Sequence, residues 1–553
     1  MKKIYALLLT CILVSSISLR AQWVNNPAVN TLAASGSSCE YPIAVADSNG
    51  NTLIVYRSTI TGGYSVRYQK VDFNGYPLWG SAGYLISSDP NQTYTTTYSA
   101  GMDPANNALV TWEDNRSGNF DIYASKVTTT GTQSWTSQGI RLSFGTGTDV
   151  NPQILAMPDS SVIVAWQSDD STGIYLQRIS PDGQRKWGPT GILHHWQVGS
   201  TLHYFQYPHL VACNDTSFYL LFKEANANFN ASQQKLVINK FGLSGQTVWP
   251  NDIEFQAVGG IPNFTTMHPL SDGNEGCYVA WMDGRGGGIS LNGFVQHLDP
   301  SGSPMLTANG VNVATTLGAL QLDGIYATYD QTGNIYAFYN STTDLYMQKI
   351  NSAGTLLLGT IGQHLATSAY SISQVYGQNT PAGLLVNYSI DGSTGTNTYY
   401  AALFDTSGNY RWTPTILGVS TSSSAKSKAT VTEAKAGQVI VCWQDERSAS
   451  SEVFVQNIDL TGSIGPLALQ DIKEERVGIY PNPSSTTVVI SMSERLATNA
   501  TIEISGSDGR TYKTLPVSSQ YESLDVSSVP SGFYFLRIQN DRTCFVKKLE
   551  VIR

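Results

Sequence analysis

Apolar and polar residues alternate along most of this chain, and one alternating stretch recurs with the same length and the same ending. Eight eleven-residue windows, such as SVRYQKVDFNG and EVFVQNIDLTG, align without gaps and end at Gly75, Gly131, Gly183, Gly245, Gly302, Gly354, Gly408 and Gly462. Alternation with a period of two predicts a strand, and the final glycine supplies the positive φ that a tight hairpin needs. Each window is therefore predicted to be a strand followed by a hairpin.

A second strand is predicted before each window, as in ALVTWEDNR and VIVCWQDER. It is preceded by a turn such as Asp47-Ser-Asn-Gly50 and by a short first strand. The window glycines are 52 to 62 residues apart, and four strands in a unit of that length describe a propeller blade. We predict an all-β fold, a single large β-propeller of eight four-stranded blades (seven as the alternative), followed by a small β-sandwich.

The two ends of the repeat region predict how the ring closes. The stretch from Trp23 to Leu32 has the pattern of an outer strand, which the last unit lacks. One blade would then contain strands from both ends of a propeller spanning residues 22–469, which leaves no open sheet edge. By strand parity, the short Asp/Asn-x-x-Gly turns share one face and the variable loops share the other. Function usually lies on variable loops held by a rigid scaffold, so we predict it on the second face.

Residues 1–21 have the composition of a signal peptide, with Lys2 and Lys3 before an apolar run and small residues before Ala21. No later segment approaches the roughly 18 apolar residues that span a bilayer, so no transmembrane segment is predicted.

The pattern changes after a charged linker at residues 470–476. The segment 477–553 starts with YPNP, continues with a strand containing SGFYF and ends near a pair of lysines. Its marker residues are Tyr480, Pro481, Asn482, Pro483, Gly532, Tyr534, Lys547 and Lys548. In combination these motifs resemble the type A C-terminal sorting domain of the type IX secretion system. The resemblance implies a small β-sandwich recognised by the outer-membrane translocon of a Gram-negative bacterium, and a secreted or cell-surface protein. An ordinary adhesive β-domain is the alternative.

Charge and cysteine content narrow the possible functions. The net charge is −9, and residues 22–476 carry −13, so no basic surface for nucleic acid is predicted. Five cysteines follow the signal peptide with no spacing typical of a zinc site or a disulfide framework. Buried small apolar side chains are the favoured interpretation.

A Trp-x-Asp-x-Arg motif recurs after the second strand. Its members are Asp114 and Arg116, Asp283 and Arg285, and Asp445 and Arg447, with Asp169 and Asp170 in the corresponding part of the third blade. These charges are candidates for binding a polar ligand. The alternative is that each motif stabilises its own blade. Repetition favours this alternative, because every blade contains the same turn and needs the same contacts to stabilise it.

Histidines cluster between blades three and four: His194, His195, His203 and His209. Imidazoles can bind a transition metal, but the spacing matches no familiar site, so no metal site is predicted. The Gly-x-x-x-Trp that follows five windows resembles the tryptophan-docking motif of eight-bladed quinoprotein propellers. The adjacent cysteines that many of those enzymes carry at the quinone are absent, so no cofactor is predicted.

The function favoured by these observations is a surface or secreted propeller that binds a glycan or a protein, because tyrosine and tryptophan with asparagine and aspartate suit such partners. A secreted polysaccharide hydrolase or lyase and a structural part of a surface assembly are the alternatives. No catalytic motif is identified, and the question of enzymatic activity stays open.

Overall fold

The structure is a computed structural model that describes most of the chain. It covers residues 23–87, 91, 97–169, 173–195, 203–226, 234–256, 260–261, 267–285, 291–315, 324–330, 332–392, 395–466, 477–492, 500–506, 510–539 and 544–553. The predicted signal peptide and the predicted linker at 470–476 lie outside these ranges. The chain divides into two units, Met1–Pro466 and Leu467–Arg553, which are described separately.

In the described part of the first unit, the strands form eight antiparallel sheets of four strands each. The chain begins with strand β1 (Thr31–Ala34). Blade 1 contains β2 (Cys39–Ala46), β3 (Thr52–Ile60), β4 (Gly63–Val71) and β5 (Tyr84–Leu85); blade 2 contains β6 (Tyr98–Met102), β7 (Ala108–Asp114), β8 (Asp121–Val127) and β9 (Ile140–Arg141). Blade 3 contains β10 (Asp149–Ala156), β11 (Val162–Ser168), β12 (Gly173–Ile179) and β13 (Ile192–His194); blade 4 contains β14 (His203–Asn214), β15 (Ser217–Asn226), β16 (Lys235–Gly242) and β17 (Ile253–Gln256).

The remaining blades follow the same order. Blade 5 contains β18 (Met267–Ser271), β19 (Cys277–Asp283), β20 (Asn292–Leu298) and β21 (Val311–Asn312); blade 6 contains β22 (Ile325–Tyr329), β23 (Ile335–Ser341), β24 (Asp344–Ile350) and β25 (Gln363–Thr367). Blade 7 contains β26 (Ile372–Thr380), β27 (Gly383–Asp391), β28 (Asn397–Phe404) and β29 (Leu417–Ser420); blade 8 contains β30 (Lys426–Val431), β31 (Gln438–Asp445), β32 (Glu452–Asp459) and β1.

The eighth sheet joins the two ends of the ring. Strand β1 pairs antiparallel with β32, so that Thr31 lies opposite Val455, and it takes the outermost position. The first strand of blade 1, β2, packs against β30 and β31 of blade 8. The predicted eight-bladed β-propeller is therefore confirmed. Second strands such as β7, β11 and β19 are buried along their whole length because a neighbouring blade covers each side.

Six tryptophans, which we call the tryptophan seam, occupy equivalent positions between blades: Trp23, Trp79, Trp135, Trp187, Trp249 and Trp412. Each packs over the window glycine of the next blade, where a Cβ on Gly302, for example, would come within 2.9 Å of Trp249. The indole of Trp249 also donates a hydrogen bond to Pro300 O at 2.9 Å. Trp23 packs over Gly75 and so fills the junction between blades 8 and 1. The seam thus ties consecutive blades on the face of the short turns.

The described part of the second unit contains two antiparallel sheets. The first is formed by β33 (Gly478–Tyr480), β34 (Thr487–Ser491) and β37 (Tyr521–Asp525); the second by β36 (Thr511–Pro516), β35 (Thr501–Gly506), β38 (Gly532–Gln539) and β39 (Cys544–Val551). Both sheets contribute to one core, in which Val488, Ile502 and Leu536 are fully buried. This packing of two sheets confirms the predicted small β-sandwich.

Among the described cysteines, Cys39, Cys277 and Cys442 are buried, and Cys213 is partly buried; none of the four forms a disulfide. Burial raises the pKa of the Cys39 thiol to about 11, which makes it a poor nucleophile at neutral pH.

Candidate functional site at the mouth of the channel

Five first strands contain the same backbone irregularity near their beginning. Tyr41, Asn151, Tyr207, Gln374 and Lys428 have φ angles between 47° and 55°, and the strand register shifts at each of them. Such bulges redirect a side chain, and a non-glycine residue at positive φ costs on the order of 1 kcal/mol or more. The same costly conformation therefore recurs in blades 1, 3, 4, 7 and 8.

Buried side chains of the preceding blade anchor some of these bulges. Glu113 Oε1 accepts a hydrogen bond from Asn151 N at 2.8 Å, and Gln444 Oε1 accepts one from Tyr41 N at 3.2 Å. Burial raises the pKa of the Glu113 carboxyl, although hydrogen bonds from Thr97 and Asn151 act in the opposite direction. Contacts between neighbouring blades therefore hold these two bulges, and the contact at Tyr41 exists only because the ring is closed.

The first strands surround a central channel, and a cavity of about 660 Å³ opens where these strands begin. It is lined by blades 1, 2, 7 and 8, and we call it the channel mouth. Its polar lining includes Tyr41, Arg57, Tyr98, Gln374, Tyr376 and Lys428. First strands begin at the blade-to-blade connections, so the channel mouth lies on the face of the variable loops, where we predicted function.

Two cations contribute to the channel mouth. The Arg57 guanidinium lies 4.6 Å from the ring centre of Tyr41 and 4.9 Å from that of Tyr64, and it forms an ion pair with Glu40. Lys428 Nζ lies 5.0 Å from the ring centre of Tyr41, whose exposed fraction is 42%. The described lining residues of this cavity include no aspartate or glutamate. Because Arg57 is paired with Glu40, the exposed cationic and aromatic surface consists of Lys428 and Tyr41, in a chain of negative net charge.

A second cavity of about 370 Å³ adjoins the channel mouth and shares Tyr376 with it. The rings of His268 and Tyr326 lie 5.0 Å apart, and those of Tyr326 and Tyr376 lie 4.7 Å apart. Burial lowers the pKa of His268 to about 4, with a smaller contribution from His209, and burial lowers the pKa of His209 to about 4 as well. Both imidazoles are therefore neutral at physiological pH, and burial raises the pKa of the Tyr326 hydroxyl.

The Trp-x-Asp-x-Arg motifs lie at the ends of the second strands of blades 2, 5 and 8, and the structure does not bring them together. In blade 5, Asp283 Oδ2 accepts a hydrogen bond from Trp281 Nε1 at 2.9 Å and forms an ion pair with Arg285 at 2.5 Å. The equivalent contacts join Trp112, Asp114 and Arg116, and Trp443, Asp445 and Arg447. The three aspartates are buried, so their oxygens are occupied within their own blade.

The third blade departs from this pattern. Ser168 stands two residues after Trp166, where the other motifs have aspartate, and Trp166 Nε1 has no hydrogen-bond partner among the described residues. Asp169 is exposed, and its backbone N–H donates to Thr148 O at 3.0 Å. Asp170 lies outside the described residues.

The four clustered histidines separate into three environments. His194 and His195 meet Asp252 of the next blade. His203 Nδ1 lies 2.6 Å from Glu224 Oε1, and His209 belongs to the channel interior with His268. Sequence reasoning missed Asp252, which is far from the histidines along the chain and approaches them only because blades 3 and 4 are neighbours.

The segment with the YPNP motif is tied to the end of the chain. Asn482 Nδ2 donates to Lys548 O at 2.8 Å, and Asn482 Oδ1 accepts from Glu550 N at 2.8 Å. Tyr534 is buried beside Gly532 and donates its hydroxyl to Pro530 O at 2.8 Å. Four other marker residues are exposed: Tyr480, Pro481, Pro483 and Lys547. Lys548 Nζ lies 3.6 Å from the ring centre of Phe533.

Residues 478–552 match the family profile of the secretion system C-terminal sorting domain. The chain is exported by the type IX secretion system. The predicted sorting domain is thereby confirmed, its partner is the type IX machinery, and the destination of the protein is the cell surface or beyond. Among the described residues, no helix combines the length and the apolar character needed to cross a membrane.

The solved structures that are similar to the chain have low sequence identity and low TM-scores. One is an ulvan lyase from a new polysaccharide lyase family, with 10% identity and a TM-score of 0.45 over 81% of this chain and 98% of the lyase. A mutant of the NanB sialidase from Streptococcus pneumoniae has 10% identity and a TM-score of 0.35 over 80% of this chain and 94% of the sialidase. The lectin from Aleuria aurantia has 12% identity and a TM-score of 0.31 over 59% of this chain and 96% of the lectin. Among curated protein sequences, none matches the chain. Similarity at this level assigns no activity to it.

Proposed function

We propose that the exported propeller is a binding module that holds a glycan carrying carboxylate or sulfate groups in the channel mouth. The observation that supports this most directly is the cavity in which Arg57 and Lys428 flank the exposed ring of Tyr41. The exposed ammonium of Lys428 attracts carboxylate and sulfate groups, and tyrosine offers a flat apolar surface with a polar tip.

The shape of the site favours a glycan over a folded protein as the ligand. A volume of about 660 Å³ lies within the range of roughly 300–1,000 Å³ found for small-ligand sites. A stable protein partner instead needs about 800 Å² of surface on each side, most of it outside a cavity. An extended sugar chain can enter the cavity with one or two residues and leave the rest in solvent.

A secreted polysaccharide lyase or hydrolase is the second function that a specific observation favours. The neutral imidazole of His268 lies next to Tyr326, and Tyr376 connects this cavity to the channel mouth. The neutral imidazole of His268 can accept a proton, and the hydroxyl of Tyr376 can donate one. Proton abstraction and leaving-group departure require these two roles. If the glycan extends from the channel mouth into the second cavity, the proposed binding site becomes the substrate site of such an enzyme.

The test is a glycan-array screen of the exported full-length chain, followed by titration calorimetry with each hit. Lys428→Ala and Tyr41→Ala are expected to weaken binding of an acidic glycan by about tenfold or more, and raised salt is expected to weaken binding to the wild type. Lys186→Ala, which removes an exposed lysine outside the channel, is the matched control and should bind normally. Preference for neutral glycans, or full binding by both channel-mouth variants, contradicts the proposal.

The same hits distinguish binding from catalysis. If the protein is a hydrolase, its incubation with a glycan hit releases reducing ends. If the protein is a lyase, the incubation also produces an unsaturated sugar that absorbs in the ultraviolet. Product formation that is lost in both His268→Ala and Tyr376→Phe supports the enzymatic alternative. Binding without product supports a binding module.

A further inference from the structure

Two consecutive histidines of blade 3 and one aspartate of blade 4 converge at the seam between these blades. His195 Nε2 contacts Asp252 Oδ2, and His194 Nε2 lies 3.4 Å from Asp252 Oδ1. Each of the three residues offers one possible ligand atom, and these three atoms lie within 4.8 Å of one another. We propose that His194, His195 and Asp252 bind a divalent transition-metal ion, and that Zn²⁺ is the ion that fits this set.

The backbone conformation at His195 allows the side chains of two consecutive residues to reach the same site. Consecutive side chains of a strand point to opposite faces of the sheet. His194 is the last residue of β13, and His195 has a φ of 59°, so the second ring returns toward the side of the first. The two ring centres lie 4.8 Å apart at an interplanar angle of 87°. A non-glycine residue in this conformation is costly, and such residues concentrate where a ligand is held.

The surrounding side chains hold the group in place. His194 lies 4.9 Å from the ring centre of Phe241, and His195 lies 5.1 Å from Phe205 and 5.2 Å from Phe222. These apolar rings limit the rotation of both imidazoles.

The carboxylate is also oriented. Asn239 Nδ2 donates a hydrogen bond to Asp252 Oδ1 at 2.6 Å. Metal-binding carboxylates and imidazoles are commonly oriented by outer hydrogen bonds of this kind, because a fixed ligand loses less freedom when the ion binds.

Comparison with the other histidines argues against an ordinary ion pair. His364 and Asp344 lie 2.9 Å apart, and so do His297 and Asp272, but in each case one imidazole meets one carboxylate. At Asp252 two imidazoles approach one carboxylate, and His194 Nε2 is buried without a hydrogen bond to any described residue. Two imidazoles beside one carboxylate bring three possible ligand atoms together, one more than a simple ion pair uses.

The chemistry of the donors favours a transition-metal ion over Ca²⁺. Two imidazole nitrogens and one carboxylate oxygen form one of the ligand sets typical of zinc, with bonds of about 2.0–2.2 Å and a fourth position left for water or a ligand. Cu²⁺ binds such donors more tightly than Zn²⁺, whereas Ca²⁺ prefers six to eight oxygen ligands. The group contains one residue with oxygen ligands, so Ca²⁺ is not expected to bind.

The position of the site predicts its effect. His194 pairs with Ile174 at the start of β12, so the site lies near the face of the variable loops. An ion bound there links the outer strand of blade 3 to blade 4. Because an ion that binds only the folded state stabilises it, Zn²⁺ should raise the melting temperature.

The experiment uses the full chain without an affinity tag, treated with a chelator and dialysed. We expect calorimetry and elemental analysis to find one Zn²⁺ per chain with a Kd in the micromolar range or below, together with a rise in melting temperature. Asp252→Asn and His195→Gln are expected to weaken binding by at least 100-fold. His364→Ala is the matched control, because it removes a histidine from a simple ion pair, and it should bind normally.

Three outcomes overturn the proposal: no uptake by folded wild type at 100-fold excess of Zn²⁺, uptake that survives His194→Gln combined with Asp252→Asn, or equal saturation by Ca²⁺. Circular dichroism identifies any variant that fails to fold. If Asp252→Asn fails to fold, the two single histidine-to-glutamine variants decide the result.

Discussion

The tryptophan seam and the channel mouth are both built from positions that recur from blade to blade, but they use them differently. Six of the eight junctions contain tryptophan at the seam, each packed over a glycine of the next blade. The five bulges instead carry two tyrosines, an asparagine, a glutamine and a lysine. A packing problem that is identical in every blade has one best solution, so the seam repeats. The bulges keep a costly backbone geometry while varying the side chain, as expected where the side chains contact a ligand.

The largest expected effect comes from the seam residue that closes the ring. Trp23→Ala removes a buried indole and its hydrogen bond of 2.8 Å to Phe73 O, and it leaves Gly75 without its packing partner. Loss of a buried tryptophan costs about 3–5 kcal/mol, which denaturant unfolding measures directly. The exposed Leu78→Ala is the control and should cost less than about 0.5 kcal/mol. An unchanged unfolding midpoint for Trp23→Ala contradicts the assignment of the seam as the closure.

A slightly smaller effect is expected from the repeated charge motif. Asp283→Ala leaves the Arg285 guanidinium and the Trp281 indole N–H without their buried acceptor. Breaking a buried ion pair from one side costs roughly 3 kcal/mol, whereas glycan binding should be unaffected. The exposed Asp215→Ala is the control. A variant that unfolds normally but loses its ligand shows instead that the motif belongs to the binding site.

Two buried histidines in the interior of the channel predict that the free energy of unfolding depends on pH. The pKa values of His209 and His268 are about 4 in the folded state and about 6.5 in the unfolded chain. Between these values the unfolded chain binds more protons, so stability falls as the pH drops from about 6.5 to about 4. The loss is on the order of 2–3 kcal/mol for each histidine. Unfolding curves of His209→Phe combined with His268→Phe should show a weaker loss over this range, whereas His364→Ala should follow the wild type. Identical pH profiles of wild type and double variant contradict this prediction.

The smallest effect on stability is expected at a bulge, where function and stability oppose each other. Lys428 has a φ of 55°, so Lys428→Gly relieves backbone strain but increases the freedom of the unfolded chain. The expected change lies between zero and a gain of about 1 kcal/mol, together with loss of acidic-glycan binding. Lys186→Gly, at an exposed position without positive φ, should not gain stability. A loss of more than 1 kcal/mol in Lys428→Gly shows that the bulge serves the fold rather than a ligand.

Much of the fold follows from local chemistry. The window glycines predicted eight hairpins, and all eight have positive φ in the structure, with Gly75 at 92° and Gly462 at 102°. The sorting domain was predicted because its motifs lie within one short segment. The bulges were not predicted, since Tyr41 and Asn151 precede proline but Gln374 and Lys428 do not. Their conformation depends on acceptors such as Glu113 and Gln444 in the preceding blade.

The sequence by itself determined the four-stranded blade and the export of the chain, because alternation, turn glycines and a contiguous sorting domain act over short distances. It left seven blades as the alternative to eight, and the pairing of β1 with β32 decided for eight. Only the tertiary structure decided which polar side chains share a site. Tyr41 and Lys428 come from opposite ends of the propeller sequence, and His195 and Asp252 come from different blades. These pairs meet because the blades pack side by side in a closed ring, and no local pattern records that contact.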